Sequence, residues 1–329
     1  MGPSWLRAPT DGAGGFCLIA GTTASGKSTL ALALAERAGG VIVNADSVQL
    51  YRSLPTLTAR PTPTDLARAE HLLYGILDDD ERGSVAQWLK LAVAAIWAVQ
   101  PRLAIVTGGT GFYLEALLAG LADVPATPPE LRAASGQAFA RLGHAGFAAE
   151  LGRLDPRLAS RGLPKDPQRL RRAWEVCTLT GRSLTDWEGQ RTPPSLPPWR
   201  GGVALLPPRE VLWHRIDRRT RAMVGAGVVD EIAAWRAGPD AGRSPLRHAD
   251  GVAAFGEHLD GRITLDAAIV GTSVKVRRYA KRQRTWLRHR LPVLVHTAEV
   301  GESLLGTLGD GVGRFDAASS EVDPPRAAD

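Results

Sequence analysis

Eight consecutive residues, Gly21-Thr22-Thr23-Ala24-Ser25-Gly26-Lys27-Ser28, carry the spacing G-x-x-x-x-G-K-[ST]. That spacing suits a phosphate cradle. Glycines let the backbone bend so that successive N–H groups turn inward, and a following helix N-terminus adds partial positive charge. Lys27 supplies a full charge, and the Ser28 hydroxyl can reach a magnesium ion. Asp46 closes an apolar run, Val41 to Ala45, that follows the loop. A carboxylate there can hold magnesium, take a proton from an acceptor, or cap a turn. Gly108-Gly109-Thr110-Gly111 brings a hydroxyl among three glycines. It can let a ligand approach the backbone, with Thr110 donating to a phosphate oxygen, or simply form a tight turn. Between Gly271 and Arg290 there are eight Lys or Arg and no acid. Such a run suits a phosphate backbone, or else a solvated helix surface. Gln168-Arg169-Leu170-Arg171-Arg172 is a smaller basic cluster with the same two readings. The seven histidines show no metal-ligand spacing, and no Ser or Cys sits in a nucleophile motif.

The elements that must position these residues read as follows. Phe16 to Ala20 is a short apolar strand, Thr29 to Ala38 a helix, and Val41 to Asp46 a second strand. Ser47 to Thr64, rich in Thr, Pro and Ser, reads as a loop. Val85 to Val99 has helical periodicity, and Leu103 to Thr107 is a third strand. Strands alternating with helices, with Gly-rich turns after the strands, predict an α/β fold: a parallel sheet of the P-loop NTPase type, flanked by helices. Prolines at 125, 128 and 129 break the pattern, and 122–199 reads as an all-helical insertion without strands. Val203 to Leu206 returns to the sheet. Arg209 to Arg236 is helical, Thr264 to Leu287 gives one or two helices, and Pro292 to Val295 a last strand. The core is therefore expected in 16–121 and 200–312, with a flexible 1–15 and a disordered 313–329.

The chain has 329 residues, 44% hydrophobic, with two cysteines and net charge +6. That predicts one large domain or two, a reducing cytoplasmic setting, and a polyanionic partner. No signal pattern or bilayer-length apolar run is present, so membrane partners are not expected.

The motifs match one family in order. Gly21 to Ser28 resembles that family's G-P-T-A-S-G-K-[ST], with Thr22 in place of Pro. Ala45 to Arg52 resembles A-D-S-x-Q-x-Y-R, and Gly108 to Tyr113 resembles G-G-T-G-x-Y. Pro128 to Arg132, Asp166 to Val176, Arg215 to Arg219 and Tyr279 to Arg288 match P-P-x-x-R, D-x-Q-R-[IL]-x-R-A-x-E-V, R-I-x-x-R and Y-A-K-R-Q-x-T-W-[FL]-R. The sequence thus resembles the bacterial tRNA dimethylallyltransferases. Departures lie at Leu57-Pro61, Ala69-Leu72 and Gly251-Ala254.

The resemblance implies transfer of a dimethylallyl group from dimethylallyl pyrophosphate to N6 of adenosine 37, in the anticodon loop of tRNAs reading codons that start with U. It implies Mg2+ on Ser28, and Lys27, Thr110 and Arg219 sharing leaving-group charge. Asp46 would take the amine proton. Asp46, Ser47, Val48, Gln49 and Thr110 would lie beside the flipped base. Arg132, Gln168, Arg169, Leu170, Arg171, Arg172, Arg247, Lys281, Arg282, Gln283, Trp286 and Arg288 would hold the anticodon stem-loop, with the protein acting as a monomer. Competing readings are a P-loop kinase or RNA-stimulated ATPase, an adenylate dimethylallyltransferase, and a non-catalytic RNA-binding module. The loop, Lys27 and Ser28 are shared with the first. The basic helix argues against the second, since a free nucleotide needs no long cationic surface.

Overall fold

A computed structural model describes residues 14–291 and 294–298. The expected flexible 1–15, apart from Gly14 and Gly15, and the expected disordered tail lie outside the described residues. The chain divides into two compact units, 1–118 with 195–329, and 119–194.

The first unit is built on six parallel strands. In chain order they are β1 (Gly15–Gly21), β2 (Val41–Asn44), β3 (Glu70–Leu72), β4 (Leu103–Gly108), β5 (Trp199–Leu205) and β6 (Val295–Thr297). Their spatial order is β3-β2-β4-β1-β5-β6. β1 therefore sits between β4 and β5, with Leu18 beside Val106 and Gly202. Both of its faces must be covered, and its residues are apolar throughout. Alternation splits them. Phe16, Leu18 and Ala20 enter one core with Trp88, Leu114, Phe255 and Leu287. Cys17 and Ile19 enter the other with Leu30, Leu34 and Ile105. The helices of this unit are α1 (Lys27–Ala38), α2 (Pro55–Thr58), α3 (Pro63–Arg68), α4 (Val85–Ala98) and α5 (Gly111–Ala119).

The second unit holds α6 (Pro129–Leu154), α7 (Pro156–Arg161), α8 (Pro167–Thr180) and α9 (Leu184–Glu188). The first unit then resumes with α10 (Arg209–Gly225), α11 (Val228–Arg236), α12 (Val252–Leu259) and α13 (Leu265–Arg290). Within the second unit, Phe147, Leu151, Leu170 and Ala173 form a separate core. Gly143, at φ 64°, breaks α6 in two.

Several expectations are corrected. Ser47 to Thr64 contains α2 and the start of α3 rather than loop alone. Its helix starts carry Pro55 and Pro63, whose fixed φ suits a first turn. Arg209 to Arg236 is two helices, parted at Gly227 (φ 85°). Thr264 to Leu287 is one helix, continuing to Arg290. The last strand begins at Val295, later than expected. The edge strand β3 and helix α12 left no clear periodicity.

Candidate active site

The phosphate loop leaves the carboxyl end of β1. A Cβ on Gly21 would lie 2.4 Å from the Ser25 hydroxyl, so the first turn needs glycine. Gly26, at φ 89°, turns the chain into α1. The loop's amides are not all turned inward as the motif predicts. Thr22 N–H donates to Leu205 O at 3.4 Å, and Ser25 N–H to Thr22 O at 3.2 Å. Thr23 N–H donates to the Gln283 side-chain oxygen at 2.8 Å. The amides that open α1, at Lys27 and Ser28, are ones a helix leaves without internal acceptors, and they stay available to an anion.

A cavity of about 450 Å³ opens on this loop. Lys27, Ser28, Asp46, Ser47, Val48, Gln49 and Arg219 all line it, so residues far apart in sequence meet at one place. Lys27 Nζ donates to Thr22 O at 3.4 Å. Burial pushes its ammonium down to about 8, with Asp46 opposing the shift and Arg219 adding to it. Arg219 comes from α10 and donates to the Thr23 hydroxyl at 2.7 Å. Burial lowers its guanidinium too, against the pull of Asp46. Two cations thus share one cavity with the Asp46 carboxylate, and both feel its charge.

Asp46 follows β2 in a tight side-chain turn. Its N–H donates to Asn44 Oδ1 at 2.8 Å, and Val48 N–H donates to Asp46 Oδ1 at 3.2 Å. Asn44 also donates to Asp46 O and Leu73 O, which pins both sides of the turn. The turn-capping reading of Asp46 is seen directly: one carboxylate oxygen accepts from Val48 N–H, in a residue that also lines the cavity. The position differs for Thr110. It does not line the cavity. Its hydroxyl accepts from Ser47 N–H at 3.0 Å and donates to the Ser47 hydroxyl at 3.4 Å. The expected phosphate donor is thus in place as a support for the Ser47 backbone.

The three glycines around Thr110 are spent on protein packing. A Cβ on Gly108 would lie 2.1 Å from Ala45 O, one on Gly109 2.1 Å from Gln283 Nε2, and one on Gly111 2.1 Å from Trp286 Cδ1. The loop is the seat of α13. Tyr279 of the same helix hydrogen-bonds Thr110 and Gln283, and burial pushes its phenol up, with Asp46 adding to the rise.

The cations of α13 divide in two. Lys281, Arg282 and Arg288 are exposed, and Arg282 also lines the cavity and lies 5.5 Å from the Tyr279 ring. Arg284 instead donates to Pro207 O at 2.6 Å, capping the end of β5. Arg277 pairs with Asp217, and Arg290 bonds Glu115 at 2.8 Å. Gln283 is corrected as a tRNA contact. It is buried, its oxygen holds Thr23 N–H, and its nitrogen donates to Gly109 O at 2.9 Å. Trp286 packs edge-on against Phe112 over Gly111. Gln49 donates to Thr58 O and Ala59 O, stapling α2 with the amide expected beside a base. Arg247 is exposed and donates to Gly242 O.

In the second unit, Leu170 is corrected: it is fully buried in the core there. Arg171 donates to Ser135 and Arg132 O, Arg172 to Thr127, and Arg132 to Thr127 O. Gln168 and Arg169 are exposed at the start of α8.

Asp250 and His248, which also line the cavity, carried no motif. Burial pushes the Asp250 carboxyl up, against Arg282 and Lys275. Among the described residues, no three His, Cys, Asp or Glu group as metal ligands. The residues present fit magnesium all the same. Ser28 and Asp46 offer hard oxygens in one cavity, and magnesium takes most of its ligands from phosphate and water. No described helix is long and apolar enough to cross a membrane.

The IPP transferase family profile matches residues 49–290. The chain is 46% identical over 284 residues to a protein named tRNA dimethylallyltransferase from Nitrobacter hamburgensis, covering 85% of this chain and 90% of that one. It is 47% identical over 278 residues to one of the same name from Rhodopseudomonas palustris, covering 84% and 87%. The crystal structure of the full-length tRNA isopentenylpyrophosphate transferase from Bacillus halodurans superposes with a TM-score of 0.59 at 29% identity, covering 90% of this chain and 97% of that one. A eukaryotic dimethylallyltransferase acting on tRNA shares the fold, with a TM-score of 0.70 at 24% identity over 84% and 70%. By these matches the chain belongs to the IPP transferase family, with the tRNA dimethylallyltransferases as its relatives.

Proposed function

We propose that the protein transfers a dimethylallyl group from dimethylallyl pyrophosphate to N6 of adenosine 37, in tRNAs reading codons that start with U. The observation that carries this reading is a single cavity holding the phosphate loop, Arg219 and the Asp46 carboxylate. The diphosphate takes the α1 end of the loop, with Lys27 and Arg219 stabilising charge on the departing oxygen. The bond from the allylic carbon to that oxygen breaks, and a bond from N6 to the same carbon forms. The Asp46 carboxylate takes the N6 proton, and diphosphate leaves. The adenine amine is a weak nucleophile, so orienting it and removing its proton both lower the barrier. Thr110 acts one step back, by fixing Ser47. Magnesium bound with the diphosphate would neutralise phosphate charge, and Ser28 is the hydroxyl this chain offers it.

Lys281, Arg282 and Arg288 contact tRNA phosphates, together with Trp286 and Arg247 of the same unit; in the second unit, Arg132 and the polar residues of Gln168 to Arg172 offer tRNA contacts of their own. The protein works as a cytoplasmic monomer. Incubation with dimethylallyl pyrophosphate and unmodified tRNA, read by mass spectrometry of the nucleosides, tests the reading. Prenylated adenosine at position 37 is the expected product. ATP turnover without prenyl transfer, or transfer to AMP alone, overturns it.

A further inference from the structure

Gln283 joins the two halves of the pocket. Its side-chain oxygen accepts from Thr23 N–H at 2.8 Å and its nitrogen donates to Gly109 O at 2.9 Å, both in a buried setting. Thr23 is held a second time, through its hydroxyl, by Arg219. On the other side, Gly109 precedes Thr110, whose hydroxyl receives Ser47 N–H next to Asp46. Tyr279, one turn before Gln283 on α13, hydrogen-bonds both Gln283 and Thr110. The fit leaves no slack, since even one carbon added to Gly109 would meet the Gln283 nitrogen at 2.1 Å.

We propose that Gln283 is a positioning residue that sets the donor-holding loop in register with the acceptor-side loop carrying Ser47 and Asp46. The inference rests on the transferase reading given above. An amide does this because it accepts at one end and donates at the other, which the two backbone partners require in that order. A carboxylate offers acceptors only, and would set an oxygen against Gly109 O. A protonated carboxylic acid restores both roles in nearly the same shape. Gln283→Glu is therefore a variant whose geometry switches with pH. Burial raises a carboxyl in such a place above its ordinary range. The charged and titratable groups around the junction include Lys27 on α1, Arg219 on α10, Asp46 after β2, Asp250 before α12, and Tyr279 on α13 itself.

The test uses the full-length protein, wild type and Gln283→Glu, from pH 5.5 to 8.5. Two readouts are taken: the affinity for inorganic diphosphate by calorimetry, and the single-turnover rate of prenyl transfer to tRNA. Taking the ratio of variant to wild type removes the pH dependence that the two proteins have in common. We expect that ratio near one at the acid end, falling at least tenfold as pH rises, reversibly and with tRNA affinity unchanged. Gln283→Leu, which can make neither bond, should be slow at every pH, with kcat reduced more than the tRNA KM is raised. A flat ratio near one for Gln283→Glu, or a Gln283→Leu rate equal to wild type, overturns the proposal. Should the wild type transfer no prenyl group, the functional reading fails. The diphosphate affinities then still decide the role of Gln283.

Discussion

At the residue scale, Asp46 and Lys27 carry opposite burdens. Asp46→Asn keeps the cap on Val48 N–H but cannot take a proton. We expect transfer to fall ~10²–10⁴-fold while tRNA binding, measured by filter retention, holds. An unchanged single-turnover rate would remove Asp46 as the base. Lys27 reads through pH. Its ammonium, held down to about 8, must be charged to bind a diphosphate. Donor kcat/KM of the free enzyme should therefore decline as pH rises through about 8. Stability runs the other way. Between about 8 and the ordinary value of 10.5 the unfolded chain binds more protons than the folded one, so stability rises with pH across that window. Lys27→Met should accordingly raise Tm at pH 7, by ~2–4 °C, while abolishing donor binding. Differential scanning calorimetry and a donor-binding titration check the pair.

At the element scale, the loop between β2 and α4 is held from outside. Glu231 on α11 accepts from Thr56 N–H at 2.7 Å and Leu57 N–H at 3.0 Å, doing from a distance what an N-cap does locally for α2. Asp79 accepts from Ser53, Trp235 and Ser244, tying the same loop to the C-terminal helices. Glu231→Ala should cost about 0.5–2 kcal/mol of stability and raise the tRNA KM, because Leu57 to Ala59 line the cavity. Urea denaturation and steady-state kinetics check both. These elements show why some of the fold could be read from sequence and some not. β1, β2 and β4 announce themselves as short apolar runs, because strands buried on both faces must be apolar throughout. The strand-loop-helix of the phosphate motif and the turn at Asp46 were legible because their signals are local. α2 was not, because its cap lies 175 residues downstream. The roles of Gln283 and Thr110 were hidden likewise: a Gln in a basic helix looks like an RNA contact until its partners in the loops after β1 and β4, Thr23 and Gly109, are seen. Leu170 shared that disguise among arginines.

At the scale of the whole molecule, the proposed function makes the exposed cations of α13 an electrostatic footprint for tRNA. Lys281→Ala and Arg288→Ala should each weaken tRNA binding similarly for all tRNAs, and each should flatten the slope of log K against log salt by about 0.7–0.9. Fluorescence anisotropy across a salt series measures this. Arg284→Ala should behave differently, with little change in salt slope and a loss of stability, because its guanidinium is bound to Leu206 O and Pro207 O. The sheet order helps bring distant segments to one cavity: β2 and β1 flank β4, so the Asp46 turn after β2 and the phosphate loop after β1 open at the same end of the sheet and line it together. The bond from Thr23 to Gln283 closes that arrangement across 260 residues of chain. During synthesis the ribosome has delivered the phosphate loop long before it delivers α13. A growing chain therefore carries the cradle sequence with that partner still unmade. On the role proposed for Gln283, the pocket comes into register only once the chain has grown 260 residues past Thr23, so that chains ending before α13 would hold the loop without its brace.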